Sequence, residues 1–145
     1  MKTYVLTLSR YFPATHARKG EPTGFIEKIK AREKIHTIRG NYPFWEERFK
    51  KIKRGEALLS LRCWEGEPYR SSQVEFMRLF HEHEIGIQRL EATPLGWFID
   101  SYDSDITNDD LAKGDGLSTE DFQEWFKGYD LSDPLGIIHF TKFRY

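Results

Sequence analysis

Four residues in a stretch of six have the types that nucleophilic or anion-binding chemistry uses: Lys34, His36, Thr37 and Arg39, in KIHTIR. Along a strand side chains alternate between faces, so Thr37 and Arg39 share one face while His36 and Ile38 take the other. Lys34 then opposes Thr37 unless the chain bends at residues 34–35, where a preceding helix would end. Beside the Thr37 hydroxyl, a lysine with its proton affinity lowered by burial or by the Arg39 cation can serve as general base. Arg39 offers a planar fork of donors to a phosphate or an oxyanion. Each residue also suits a plain structural role: Thr favours strands, a Lys after a helix end complements the dipole, and Arg39 can pair with an acid.

The elements that must position these residues follow from pattern. Residues 3–9, TYVLTLS, read as a first strand, followed by a long basic Pro/Gly-containing loop over 10–24. Phe25, Ile26 and Ile29 space a short amphipathic helix running to about Arg32, and HTIRG reads as the strand after it. Pro43 opens a second helix with Trp45, Phe49 and Ile52 on one face and Gly55 at its end. Strands are expected over 57–64, 73–80 and 85–94, the first two as a hairpin. Thr107 with Asp110, and Ser118 with Asp121, mark two helix starts; Asp115 and Gly116 fall at the turn between them, and GIIHFTKFRY closes the chain as a strand. Six strands with short helices between them predict an α+β fold with a curled mixed sheet or small barrel, in one domain over 1–145.

Aromatic residues make up 15% of the chain and charged residues 31%, a composition that excludes disorder. A single cysteine, Cys63, excludes an internal disulfide and a thiolate zinc cluster, and is read as a core residue. With no cleavage signature in MKTYVLTLSR and no long apolar run, the expectation is a cytoplasmic protein without a membrane span. The net charge of −1 conceals an asymmetry: residues 1–70 hold 16 Lys and Arg against 8 acids, and residues 71–145 hold 6 against 15. The basic half interleaves with aromatics, as in NYPFWEERFKKIKRG, a pairing that suits phosphate contact with base stacking and equally a solvated helix. Of these aromatics Tyr42 and Phe44 stay open as stacking residues, and Tyr11, His16, Arg18 and Lys19 in the 10–24 loop are candidates to rim a site.

Lys34-Ile35-His36-Thr37-Ile38-Arg39, after a short helix, resembles the KxxTxR signature of ASCH domains, which have a PUA-like β-barrel fold. KRGEALLSLRCW is similar to that family's GD hairpin strand, with Glu56 where Asp is usual, and LAKGDGLSTEDFQEWFKGY is similar to its later helix pair. The resemblance covers most of residues 24–145. It implies a PUA-like small mixed β-barrel with flanking short helices and a cleft that binds RNA or a modified nucleoside. Arg39, Tyr42, His36, Arg18 and Lys19 are the binding candidates. RNA binding is the first function it implies. The alternatives are an amidohydrolase that deacetylates N4-acetylcytidine, with Thr37 as nucleophile, Lys34 as base and Asp115 as acid, or a ribonuclease. The family's acid is usually Glu, one methylene longer than Asp115. No cofactor is expected. HEHE at 81–84 reads as a charged hairpin tip rather than a metal site, and DSDITNDD as a solvated loop, because the glycine and glutamate of a calcium loop are missing from their positions.

Overall fold

A computed structural model describes residues 1–145. Its elements run β1 (Lys2–Thr7), α1 (Phe25–Lys30), β2 (His36–Arg39), α2 (Tyr42–Lys53), β3 (Ala57–Trp64), β4 (Gln73–Leu79), β5 (Gly86–Thr93), β6 (Gly96–Ile99), β7 (Tyr102–Asp103), α3 (Asn108–Gly114), α4 (Thr119–Phe126) and β8 (Leu135–His139). The fold is α+β, with eight strands in two sheets that do not close into a barrel: β1-β3-β4, and β2-β8-β5-β6-β7. No helix is long and apolar enough to cross a membrane.

The smaller sheet joins β1 to β3 in parallel, and β3 to β4 as the antiparallel hairpin expected from 57–80, with a bulge between Leu61 and Arg62. In the larger sheet β8 is central, antiparallel to both β2 and β5. Every residue of β8 is buried, because both faces of its sheet are covered. Ile138 enters the core that β1, β3 and α2 build with Leu6, Leu59, Trp45 and Ile52, whereas Ile137 enters a second core with Leu111 and Phe122 of α3 and α4.

Two of the eight strands lie outside the six expected. Past the strand expected over 85–94, Pro94 and Leu95 form a tight turn that brings Gly96–Ile99 back on Leu90–Thr93, and β7 extends that ladder by two residues. The closing strand is also shorter than the run to Tyr145 that the sequence pattern suggests. After His139 the chain leaves the sheet at Thr141–Lys142, and the Arg144 guanidinium donates to the Thr141 and Phe143 carbonyls, fixing a turn in place of a ladder. The histidines of HEHE lie in a single 3-10 turn, where His83 Nδ1 accepts from the Phe80 backbone.

Candidate active site

The chain between α1 and β2 supplies the bend that Lys34 needs. Arg32 sits in the left-handed region at φ 60°, and the Glu33 and Lys34 amides both donate to the Lys28 carbonyl. This turn brings Lys34 onto the same cavity as Thr37 and Arg39, although strict alternation would have opposed Lys34 to Thr37. β2 pairs only with β8, so its other edge is unpaired, and the cavity lies there.

The cavity measures about 120 Å³. Its polar residues are Lys34, Thr37, Arg39, Asp115 and Ser9, and its wall is largely aromatic: Phe25, Trp125, Phe126 and Tyr129. Thr37 is 7% exposed and its hydroxyl has no hydrogen-bond partner within the protein. Arg39 donates from Nη2 to the Thr7 carbonyl at 2.7 Å and has no carboxylate in ion-pair range.

Asp115 is the C-cap of α3; its amide donates to the Leu111 carbonyl and the next amide, Gly116, to the Lys113 carbonyl. Lys34 Nζ donates to the Asp115 carbonyl at 2.8 Å and lies 3.5 Å from its carboxylate, while also sitting 4.1 Å from the centre of the Phe25 ring. Its amine therefore rests on Asp115, and no hydrogen bond joins it to Thr37. Burial lowers the Lys34 ammonium to about 8, with Asp115 opposing the shift and Arg39 adding to it. Burial pushes the Asp115 carboxyl up, but Lys34 and the His36 hydrogen bond together outweigh it and hold the group below the ordinary aspartate value.

His36, completely buried, lies outside the cavity lining, behind Asp115. Its Nδ1 is 3.0 Å from Asp115 Oδ1 and its Nε2 is 2.6 Å from the Tyr145 hydroxyl. A carboxylate can only accept, so Nδ1 carries a proton and donates to Asp115, while the Tyr145 hydroxyl bridges Nε2 and the Asp110 carbonyl, the latter at 3.3 Å. The packing here is tight enough to require glycine. A Cβ on Gly114 would stand 2.2 Å from His36 Nε2 and 2.6 Å from the Tyr145 oxygen. Gly114→Ala is expected to destabilise the protein by about 2 to 3 kcal/mol through overpacking. Urea unfolding measures this directly, and an unchanged midpoint would show that the His36–Tyr145 pair moves aside freely.

The other candidates fall elsewhere. Tyr42 lines a separate groove beside α2 and donates its hydroxyl to Glu46 at 2.8 Å. Arg18 and Lys19 do not line the cavity: Arg18 clamps Asp121 of α4 in an ion pair, and Lys19 faces solvent. The 10–24 loop acts on the site indirectly. Phe12 and His16 pack against Trp125, and His16 Nε2 bonds the Asp121 carbonyl at 3.1 Å, so the loop braces the helix that forms the aromatic wall.

That wall is the part absent from the list of sequence candidates. Trp125 and Tyr129 stand four apart in WFKGY, the spacing that places two side chains on one side of a helical turn. The signal was present, but the segment also reads as a capped amphipathic helix with core aromatics. Comparison with protein-family models, curated proteins and solved structures finds no match to this chain.

Proposed function

We propose that the cavity at the free edge of β2 takes one nucleobase, from a free modified nucleoside or from an unpaired position in RNA. In this reading the chain is an ASCH-type domain, and its two sheets are the sides of a PUA-like mixed barrel left open. One observation carries the reading: an unpartnered hydroxyl, Thr37, and an unpaired guanidinium, Arg39, share a base-sized cavity with four aromatic rings. Planar apolar walls with a few convergent polar groups suit a heteroaromatic ligand with polar edges.

A second reading, amide hydrolysis of N4-acetylcytidine, is favoured by the pairing of that hydroxyl with a lysine lowered to about 8 on one cavity. Thr37 Oγ would attack the acetyl carbonyl as the neutral Lys34 amine takes its proton. The C–N4 bond then breaks, Lys34 returns the proton to the leaving amine, and water hydrolyses the acetyl-threonine ester to acetate. Asp115 would hold the Lys34 amine in place through both proton transfers.

The test is to incubate the protein and its Thr37→Ala variant with N4-acetylcytidine, following cytidine release by chromatography and binding by calorimetry. The hydrolase reading expects release by the wild type and a loss on the order of a thousandfold or more in the variant. Binding without release supports the nucleobase site alone. Absence of binding for N4-acetylcytidine, cytidine and the other common nucleosides, together with no release, would overturn both.

A further inference from the structure

Away from the cavity, two grooves meet at Glu84. One runs along the end of α1, β4 and residues 140–142 and is lined by Lys30, Arg32, Arg78 and Lys142. The other lies between α2 and the start of β5 and is lined by Lys50, Lys53 and Arg144. Only two carboxylates, Glu84 and Glu46, line either groove. Arg78 and Lys50 have acidic partners, Glu75 and Glu47, whereas the other five cations have none and are exposed. The acid-rich stretch 100–133, with 11 Asp and Glu against 2 Lys, contributes no residue to either lining. The stripe draws Lys30, Arg32, Lys50 and Lys53 from the basic half of the chain and Arg78, Lys142 and Arg144 from the other, so the fold gathers cations of both halves on this face.

Arg144 sits where the grooves join, and its guanidinium is already seated. Nη1 donates to the Thr141 and Phe143 carbonyls, and Nη2 to the Glu84 carbonyl at 2.8 Å. The seat depends on Gly86, where a Cβ would stand 2.3 Å from Arg144 Nη2. A guanidinium held by carbonyls alone keeps its full positive charge with its side-chain freedom already reduced.

We propose that this stripe binds the phosphodiester backbone of a single-stranded nucleic acid, independently of the cavity. Several unpaired cations along two joined grooves match a chain with one negative charge per unit. Tyr42 in one groove gives a base a ring to stack on, which an acidic peptide would not need. Thr37 lines neither groove, and Lys34, which borders the first groove as well as the cavity, keeps its amine on the Asp115 carbonyl.

The experiment measures fluorescence anisotropy of labelled 12-nucleotide single-stranded RNA and DNA from 25 to 200 mM salt. Four phosphate contacts predict a slope of log affinity on log salt of about −3. The double variant Lys30→Glu/Lys142→Glu and the single variant Arg144→Gln are expected to weaken binding, the double on the order of tenfold or more with a shallower slope. Gly86→Ala should reproduce the Arg144→Gln loss by unseating the guanidinium. Lys127→Glu, just past α4 and outside both grooves, should leave affinity unchanged. Equal binding of RNA and DNA supports backbone recognition, and tighter RNA binding adds a 2′-hydroxyl contact. The proposal is overturned by salt-independent or undetectable binding, by equal weakening in Lys127→Glu, or by tighter binding of polyglutamate than of either strand. Because binding of free nucleosides tests the cavity and the charge variants test the stripe, failure of one is distinguishable from failure of the other.

Discussion

Replacing Asp115 by Ala is expected to destabilise the protein by about 3 kcal/mol at pH 7, toward the low end of the range for breaking a buried ion pair. The side chain is 5% exposed, and its loss leaves the Lys34 ammonium without a counter-charge and His36 Nδ1 without an acceptor. The low end applies because the 2.8 Å bond from Lys34 to the Asp115 backbone carbonyl survives the substitution. The pH dependence has two limbs. The folded carboxyl lies below the ordinary value of 3.8, so its contribution is present above that value and lost as pH falls through the folded one. On the alkaline side Lys34 titrates near 8 when folded against 10.5 when unfolded, so stability rises with pH between those values. The deficit of Asp115→Ala should therefore narrow above pH 8, where Lys34 sheds the charge that needs a partner. Urea unfolding of both proteins from pH 6 to 9.5 measures it. A deficit that stays constant across that range would mean that Lys34 is not the group left exposed by the loss.

The second large effect belongs to His139, also completely buried. Its Nε2 lies 2.9 Å from Gln88 Oε1 and donates to it, and that oxygen also accepts the Tyr145 amide. Nδ1 is buried with no partner at all. A second proton would put an unsatisfied N–H and a charge into the interior, and burial, then His36 and Arg144, push the group down to about 3. The unfolded chain takes up this proton near 6.5, so stability is lost as pH falls below that value. The loss attributable to His139 is about 3 kcal/mol by pH 4.5, at 1.36 kcal/mol per unit. His139→Leu removes the titration and should show a flatter stability curve between pH 7 and 4.5. Parallel curves for wild type and variant would place the acid sensitivity in another residue.

Much of the frame was legible because local signals agreed with tertiary demand. The β-branched run 57–64 became β3 with the expected boundaries, and Thr107–Asp110 and Ser118–Asp121 cap α3 and α4 as read. The failures came where context overruled a local sign. The strand expected over 85–94 is read without a partner after it, whereas the chain turns at Pro94 and Leu95 and re-enters the sheet as β6. The expected curled mixed sheet or small barrel is two sheets that do not close, because strand order depends on long-range pairings that periodicity does not encode. In the site, Lys34, Thr37 and Arg39, grouped by type and spacing, converge on one cavity with Asp115, which is named through the family resemblance alone. Tyr42, Arg18 and Lys19 do not, since reach along the sequence gave no direction for their side chains. The aromatic wall was hidden because Trp125 and Phe126 serve a helix and a cavity at once, and Tyr129 joins them from the loop beyond α4.

The strand that carries Thr37 has one partner, β8, matched from His36 opposite His139 to Arg39 opposite Gly136. About a hundred residues of chain separate the two, and the Asp115 turn lies between them. On a ribosome, β2 would leave the exit tunnel long before anything exists for it to pair with, and would wait as a lone basic segment while β3 and β4 zip together. The pocket is thus the last thing the growing polypeptide can assemble, and a nascent fragment stopped before residue 135 should hold the hairpin without the site.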